Sequence, residues 1–347
     1  MTVSAHNAIR IASEFLPEEM LYPALRSGLR APAQLIGNCC SSYYFEYHCD
    51  QPLQCDLLCS LTFKNSRVFL KRLSSRPPNK NDQYSDIPEQ FLNRWNRVDT
   101  ALSNRIPHVW LAFDFNRTEN SFNFPNLHFC IDNNFTERSR QPDYRNKLTP
   151  KQITTTFSDI IHNCFSEHQA PSLPPLRRCL HTLDTGGEVL HLSFMHSRIP
   201  PVFKLNTIVP AAAITDILTE CSWPGDRRTI SRLCTEFASD EPCIKCNFCF
   251  TNNISPRFEI ELEYNTPLKS DRRRSRMITS LLKTGLITRT QAGMFRKWPG
   301  RTEITTPRGS ATITFERWLD IKLVIGAGGD VSAKAYFGFA PLPVIRW

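Results

Sequence analysis

The stretch WLDIKLVIGAGGDVSAKAYFGF, from Trp318 to Phe339, limits what the chain can become more than any other segment, because it reads as two strands meeting across a glycine-rich turn. Side chains alternate along a strand. Leu319, Ile321, Leu323 and Ile325 therefore share one face of the first strand, while Trp318, Asp320 and Lys322 take the other. In the second strand Ala335, Phe337 and Phe339 oppose Lys334 and Tyr336. Each strand has one apolar face and one face carrying charge or an aromatic ring with a polar tip. A lone hairpin cannot bury such a face, so the pattern must recur until a sheet closes or packs.

It recurs along the chain. After helical segments at residues 6–15 and 17–29, YYFEYH (43–48) and CDLLCSLTFK (55–64) make a first strand pair. A linker rich in Pro, Asn and Ser then leads to Asp86 as a helix N-cap, with Ile87, Phe91, Trp95, Val98 and Leu102 drawing one apolar stripe. HVWLAFDF (108–115) and NLHFCID (126–132) are the second pair. Thr149 and Pro150 open another helix, whose stripe is Ile153, Phe157, Ile160, Ile161 and Phe165. EVLHLSFMHS and PVFKLNTIV are the third pair; two short helices (211–221 and 227–238) separate it from the fourth, CIKCNFCF and RFEIELEY. The last of these alternates most cleanly, with Phe258, Ile260 and Leu262 against Arg257, Glu259 and Glu261. Helices at 271–283 and 288–297, the second opened by a Thr288/Gln291 capping box, lead into the fifth pair, the hairpin described first.

Strand, strand, then helix or helix pair, five times over, predicts an α/β fold in one domain spanning 1–347: a ten-stranded antiparallel β-barrel of repeated units surrounded by helices. The apolar strand faces must meet the apolar helical stripes, which puts helices outside and polar side chains at the centre. Ten strands make a barrel wider than the eight-stranded kind that side chains just fill, so a cavity is expected.

Composition narrows the partners. No apolar run approaches the roughly 20 residues of a membrane span, and the N-terminus lacks a basic region followed by an apolar one, so the chain reads as cytoplasmic with no membrane partner. Thirteen cysteines are scattered through strand and helix patterns, which suits buried free thiols better than a disulfide framework. With 42 basic against 33 acidic residues the net charge is +9, favouring an anionic partner: nucleic acid, an acidic lipid surface or a phosphorylated small molecule.

The repeated topology, the entry YPALRSGLR to LIGNCCSSYYFEYH to LLCSLTF, and the closing AKAYFGF with its lysine and tyrosine together resemble the ABBA-type aromatic prenyltransferases, barrels of five helix and strand-pair units around a reaction chamber. The resemblance implies transfer of a prenyl group from an allylic diphosphate to an electron-rich aromatic or nitrogenous acceptor, a small molecule or a peptide, with no nucleic acid involved. It implies a reaction that requires no cofactor or is assisted by Mg2+, without the aspartate-rich DDxxD motif of other prenyl enzymes. No DDxxD occurs here.

Ionising an allylic diphosphate needs fixed positive charge at the departing oxygens. Lys204, Lys245, Arg257, Lys322 and Lys334 fall on predicted inward faces, and Asn206 shares the face of Lys204. Lys334 is also the residue that the resemblance matches to the lysine of the family's last strand. The carbocation must be shielded from water, for which Tyr44, Trp110, Trp318 and Tyr336 are the inward aromatic candidates. Here the chain departs from the family, whose chambers are ringed with tyrosines: it has 8 Tyr against 23 Phe. Inward carboxylates are numerous: Glu46, Asp114, Asp132, Glu259, Glu261 and Asp320. Glu46, Asp114 and Glu259 are the candidates for catalysis, Glu46 as the base because the indole-modifying relatives place a glutamate there. The competing role for each is a salt bridge to a neighbouring inward lysine. So many acids also suit a cationic or nitrogenous acceptor.

Other signals carry less. Cys243, Cys246 and Cys249 give CxxCxxC, but on a strand the middle thiol faces away from the other two, so no metal site is expected. The run Arg272 to Arg276 opens a helix with Met277, Ile278, Leu281 and Leu282 behind it and reads as a solvated face. Two further readings stand beside prenyl transfer: a terpene cyclase on the same barrel, in which the cation is attacked by its own double bond, and a non-catalytic barrel that holds a ligand or binds RNA.

Overall fold

A computed structural model of the chain describes residues 3–343 apart from 18–19, 21, 52–54, 76–85, 98–101, 103–104, 124, 132–148, 165–172, 185, 197, 199–201, 240, 263–269 and 306–311. Its strands are β1 (Cys40–His48), β2 (Cys55–Thr62), β3 (His108–Phe113), β4 (Phe115–Asn116), β5 (Ser121–Phe122), β6 (Asn126–Cys130), β7 (Glu188–Met195), β8 (Val202–Pro210), β9 (Cys243–Phe250), β10 (Ile254–Leu262), β11 (Gly300–Thr305), β12 (Thr312–Ile325) and β13 (Val331–Pro343). The sheet runs β10-β9-β8-β7-β6-β3-β2-β1-β13-β12 and closes where β10 pairs with β12, from Phe258 opposite Ile325 to Leu262 opposite Ile321. The result is a closed, ten-stranded antiparallel barrel surrounded by helices, as the alternating pattern predicts.

Within each of the five strand pairs of the barrel the chain reverses towards one rim, and helices carry it from pair to pair at the other, where β11 also joins β12. The tight turn between β12 and β13 places Gly329 at φ +80°, a conformation that glycine adopts without a Cβ clash. The jacket packs as the stripes require. Phe91 and Trp95, on the helix Ile87–Trp95, are fully buried, and the Phe91 ring lies 4.6 Å from that of Phe129 on β6. Trp298, which follows the helix Arg289–Lys297, meets Phe337 of β13 at 5.3 Å and donates its indole N–H to the Trp318 carbonyl at 2.8 Å. The capping box at Thr288 and Gln291 is present, and the Gln291 amide also reaches the Tyr47 hydroxyl on β1 at 3.1 Å. No helix among the described residues is long and apolar enough to cross a membrane.

Several elements lie outside the sequence reading, among them the helix Arg30–Ile36, which follows Pro23–Gly28 where a single helix over 17–29 is expected. The segment Phe63–Ser74 is a helix rather than the end of a strand and a linker; it buries only Ser66, Phe69 and Leu73, too thin a stripe to stand out. Leu173–Asp184 is also helical, opened by Pro174 and Pro175, which are tolerated in a first turn because their missing N–H groups have no partner there. β12 runs on past the barrel, and its first half pairs with β11 instead of β10. The short β4–β5 hairpin lies between β3 and β6. Val98 and Phe165 of the apolar stripes, and Asp132 among the inward carboxylates, lie outside the described residues.

One glycine fixes how aromatic rings meet inside the barrel. Gly338 on β13 stands opposite Tyr44 of β1 on one side and Trp318 of β12 on the other. A Cβ there would lie 2.2 Å from the Trp318 ring and 2.7 Å from that of Tyr44. The two rings touch across the space this side chain would fill, centroids 5.5 Å apart, with Trp318 Nε1–H donating to the Tyr44 hydroxyl at 2.9 Å. Gly338→Ala is expected to cost about 1–3 kcal/mol by overpacking, read from urea denaturation. Adding Trp318→Ala in the same chain should recover part of that loss, since it removes the tighter of the two clashes and gives the Tyr44 ring room to shift.

Candidate active site

Because alternate residues of every strand point inward, the lumen is built from the faces that carry charge and rings. Its cavity comprises ≈ 780 Å³ of empty space, its open mouth included, and is lined by side chains of all ten barrel strands among others. The lining is unevenly divided. On one side Tyr44, Leu58, Trp110, Ala112, Cys130 and Tyr336 form an apolar cluster separate from the main core. Tyr44 is its hub, 5.3 Å from Trp110 and 6.1 Å from Tyr336 between ring centroids. On the other side β7 to β10 and β12 present Ser193, Lys204, Asn206, Lys245, Asn247, Glu261 and Lys322.

The charged side is a single network. Glu259, fully buried, accepts from Lys204 Nζ at 2.7 Å, Arg257 Nε at 3.1 Å and Asn247 Nδ2 at 3.0 Å, and Lys322 Nζ lies 3.5 Å away. Glu261 accepts from Lys245 at 3.0 Å and Asn206 at 3.4 Å, with Lys322 at 3.6 Å. Glu46 accepts from Lys334 at 2.5 Å, and His48 Nε2 lies 3.7 Å away. Burial alone would drive these carboxyls up. Lys204, Lys322 and Arg257 more than reverse that for Glu259 and hold it well below the usual carboxylate range. Lys245 and Lys322 do the same for Glu261, down to about 2, and Lys334, His48 and Lys322 for Glu46, so all three are ionised. Lys322 is raised, because Glu261, Glu259 and Glu46 together outweigh its burial. Lys204 goes the other way: burial, helped by Arg198 and Lys322, outweighs Glu259 and lowers it to about 8.

The residues singled out from the sequence thus converge, though not all on the cavity. Glu46, Asp114, Lys204, Asn206, Lys245, Lys322, Tyr44, Trp110 and Tyr336 line it. Lys334, Arg257, Glu259 and Trp318 are not part of that lining: Lys334 engages Glu46, Arg257 engages Glu259, and Trp318 lies edge-on to Tyr44. Asp114 accepts from Asn126 Nδ2 at 2.8 Å. Cys246 packs into the helical core while Cys249 does not, so the CxxCxxC thiols diverge as expected. Among the described residues the donors close enough to share a metal are Glu46, His48 and Asp56, within 4.8 Å of one another. Here Lys334 already supplies positive charge to Glu46, and the Phe115 amide N–H donates to Asp56 Oδ1 at 2.8 Å.

Several lining residues escape sequence reasoning. His128 and Ser193 occupy inward positions that the alternation of NLHFC and EVLHLSFM could have flagged, but their mutual contact depends on how β6 and β7 align across 65 residues. Leu58 was hidden because β2 is buried on both faces, leaving no alternation to read. Arg198 lies in the turn after β7, where no period applies.

No protein-family model matches the chain, and no curated protein matches it by sequence. Solved structures do match in shape. AnaPT from Neosartorya fischeri is 13% identical, with 88% of this chain and 79% of that chain covered at a TM-score of 0.51. The 5-dimethylallyltryptophan synthase of Streptomyces coelicolor is 8% identical over 86% of this chain and 80% of its own, TM-score 0.45. The same synthase in complex with DMASPP and Trp is 9% identical over 88% and 82%, also at 0.45.

The network predicts a steep penalty for breaking it. Glu259→Gln leaves Lys204, Arg257 and Lys322 short of their shared counter-ion and should cost about 3–5 kcal/mol, measured by chemical denaturation. Glu261 titrates near 2 when folded against 4.5 otherwise, so its contribution is present above pH 4.5 and lost as pH falls towards 2. The melting temperature should decline over that window, and less steeply in Glu261→Gln.

Proposed function

We propose, from the barrel fold this chain has in common with the aromatic prenyltransferases, that it moves a prenyl group from an allylic diphosphate to an electron-rich aromatic or nitrogenous acceptor held in the lumen. One observation supports this reading above the rest: a cavity with an aromatic wall facing a wall of lysines held by ion pairs. An allylic diphosphate has the same two halves. Its anionic end suits Lys204, Lys245 and Lys322, and its hydrocarbon end suits Tyr44, Trp110 and Tyr336.

In this reading the lysines do the ionising work. An ammonium carries three donors, and Lys322 sits 3.5 and 3.6 Å from its two carboxylates, so it can turn a donor to a third anion entering between them. Positive charge fixed in advance in a low-dielectric lumen stabilises the departing diphosphate oxygens without reorganisation. Asn206 adds an amide on the same face. Lys334 and Arg257 serve from behind, holding Glu46 and Glu259 in place. As the C–O bond breaks, the allylic cation faces the ring of Tyr336, over which Lys322 Nζ already lies at 4.8 Å, and the rings of Tyr44 and Trp110. Trp318 backs this wall through Tyr44. Asp114 and Asp320 stand at the lining as counter-charges for a nitrogenous acceptor.

Incubation with dimethylallyl, geranyl and farnesyl diphosphates, with and without indole, phenol and amine acceptors, tests the proposal. Diphosphate should be released only when an acceptor is present, with a prenylated product of matching mass. Release without acceptor would favour cyclisation, and no release with any donor would sink both. The donor KM should rise as pH passes upward through about 8, because Lys204 is cationic below that value and neutral above it. In Lys204→Arg the rise should vanish, and Lys204→Met should show a raised donor KM at every pH.

A further inference from the structure

The candidate carboxylate bases are poorly free to act, since Glu46 and Glu259 each accept from at least one cation and are held ionised by them. Two buried acceptor-type atoms at the cavity are differently placed. His128 Nε2 and Asn206 Oδ1 make no hydrogen bond, although both residues line the lumen. The Asn206 amide is oriented by chemistry: Nδ2 donates to the Glu261 carboxylate, which only accepts, so Oδ1 is the atom left over. The His128 ring is oriented too, because its Nδ1 lies 2.7 Å from Ser193 Oγ on the neighbouring strand. When Nδ1 carries the proton and donates it to Ser193 Oγ, Nε2 presents a bare lone pair.

Resting on the prenyl-transfer reading, we infer that His128 is the proton acceptor of the reaction, its ring held in place by Ser193, and that Asn206 Oδ1 receives an N–H or O–H of an aromatic acceptor. The atoms balance without a further reactant. The allylic C1–O bond breaks and the diphosphate leaves with its electron pair. The ring carbon of the acceptor bonds to C1, giving an arenium ion. Its C–H electrons then restore aromaticity, and the proton passes to Nε2 to give an imidazolium, which returns it to solvent or to the departing diphosphate.

The environment suits this task. Burial, with Lys204, Lys322 and Arg198 nearby, opposes a second proton on His128 and outweighs Glu46, lowering it to about 3, so the lone pair is available at neutral pH. An arenium ion is a strong enough acid to protonate even a weak base, and one proton at a time is all the ring must carry. The acceptor class follows: an aromatic substrate reacting at carbon, with a polar N–H or O–H to offer Asn206, needs such a base. An amine reacting at nitrogen does not need one held so low.

His128→Asn keeps a donor near the Nδ1 position for Ser193 and removes Nε2. Product formation on an aromatic acceptor should fall about 10²–10⁴-fold, with binding of a non-reactive prenyl thiolodiphosphate and the melting temperature unchanged. Added imidazole should restore part of the rate. A primary isotope effect should appear for an acceptor deuterated at the reacting ring carbon, because proton loss becomes slow. Ser193→Ala, which retains the ring but frees its orientation, should lose less and gain nothing from imidazole. Wild-type protein that makes product alongside an equally fast His128→Asn, or a slow variant with neither isotope effect nor rescue, overturns the inference alone. Wild-type protein that makes no prenylated product overturns the transfer reading, and this assignment with it.

Discussion

The structure depends on burying ionised groups at the centre of a barrel instead of at its surface. Placing a carboxylate such as Glu259 out of water costs several kcal/mol unless cations and hydrogen bonds replace its hydration, and here Lys204, Arg257, Lys322 and Asn247 do so. The register makes the need plain: Lys322 of β12 stands directly across from Lys334 of β13. Two ammonium groups side by side on one face would repel each other strongly in a lumen of low dielectric. Glu46 on one flank and Glu259 and Glu261 on the other draw them apart and neutralise them. The inward acids are therefore first of all what makes the inward lysines tolerable.

That balance shapes the chemistry. In the proposed reading, a lumen of bare lysines would hold a diphosphate too well to release it, and a lumen of bare acids would reject it. Paired charges would, in that reading, let an entering anion exchange one set of counter-ions for another, with the ion pairs closing again when it leaves. The aromatic wall is kept apart from this traffic by β1, β2, β3 and β6, whose inward positions are Tyr, Leu, Trp, Ala and Cys more often than charge. Separation of the two walls orients a ligand that is ionic at one end and greasy at the other.

How much of this could be read from the chain depends on period. β10 alternates so cleanly that Phe258, Ile260 and Leu262 on one side and Glu259 and Glu261 on the other are assigned from sequence alone, and the inward lysines follow in the same way. The number of barrel strands and the helical jacket are legible for that reason. Partnership is not, because it is a lateral property: whether Glu259 is a free base or a shared counter-ion depends on Lys204, which is 55 residues away. The lysines were readable as charges and unreadable as pairs. The same limit hid the contact of His128 with Ser193. β2 shows the opposite failure, since a strand buried on both faces has no polar side to mark it and Leu58 looks like any other core leucine. The helix Phe63–Ser74, polar over most of its surface, carried too faint a stripe to separate from the linker that follows it.

The seam where β10 meets β12 also sets the bore of the barrel. Strand number and stagger together set the calibre of a barrel, and the stagger here is fixed where Glu261 lies opposite Lys322 and Glu259 opposite Val324. Sliding β10 by two residues in one direction would set Glu261 against Asp320, two like charges side by side in the lumen. Sliding it the other way would leave Glu259 beside the glycine turn at Gly326. The ion pair thus acts as a gauge for the bore, so that the same side chains that would receive a ligand also decide how wide a ligand can be.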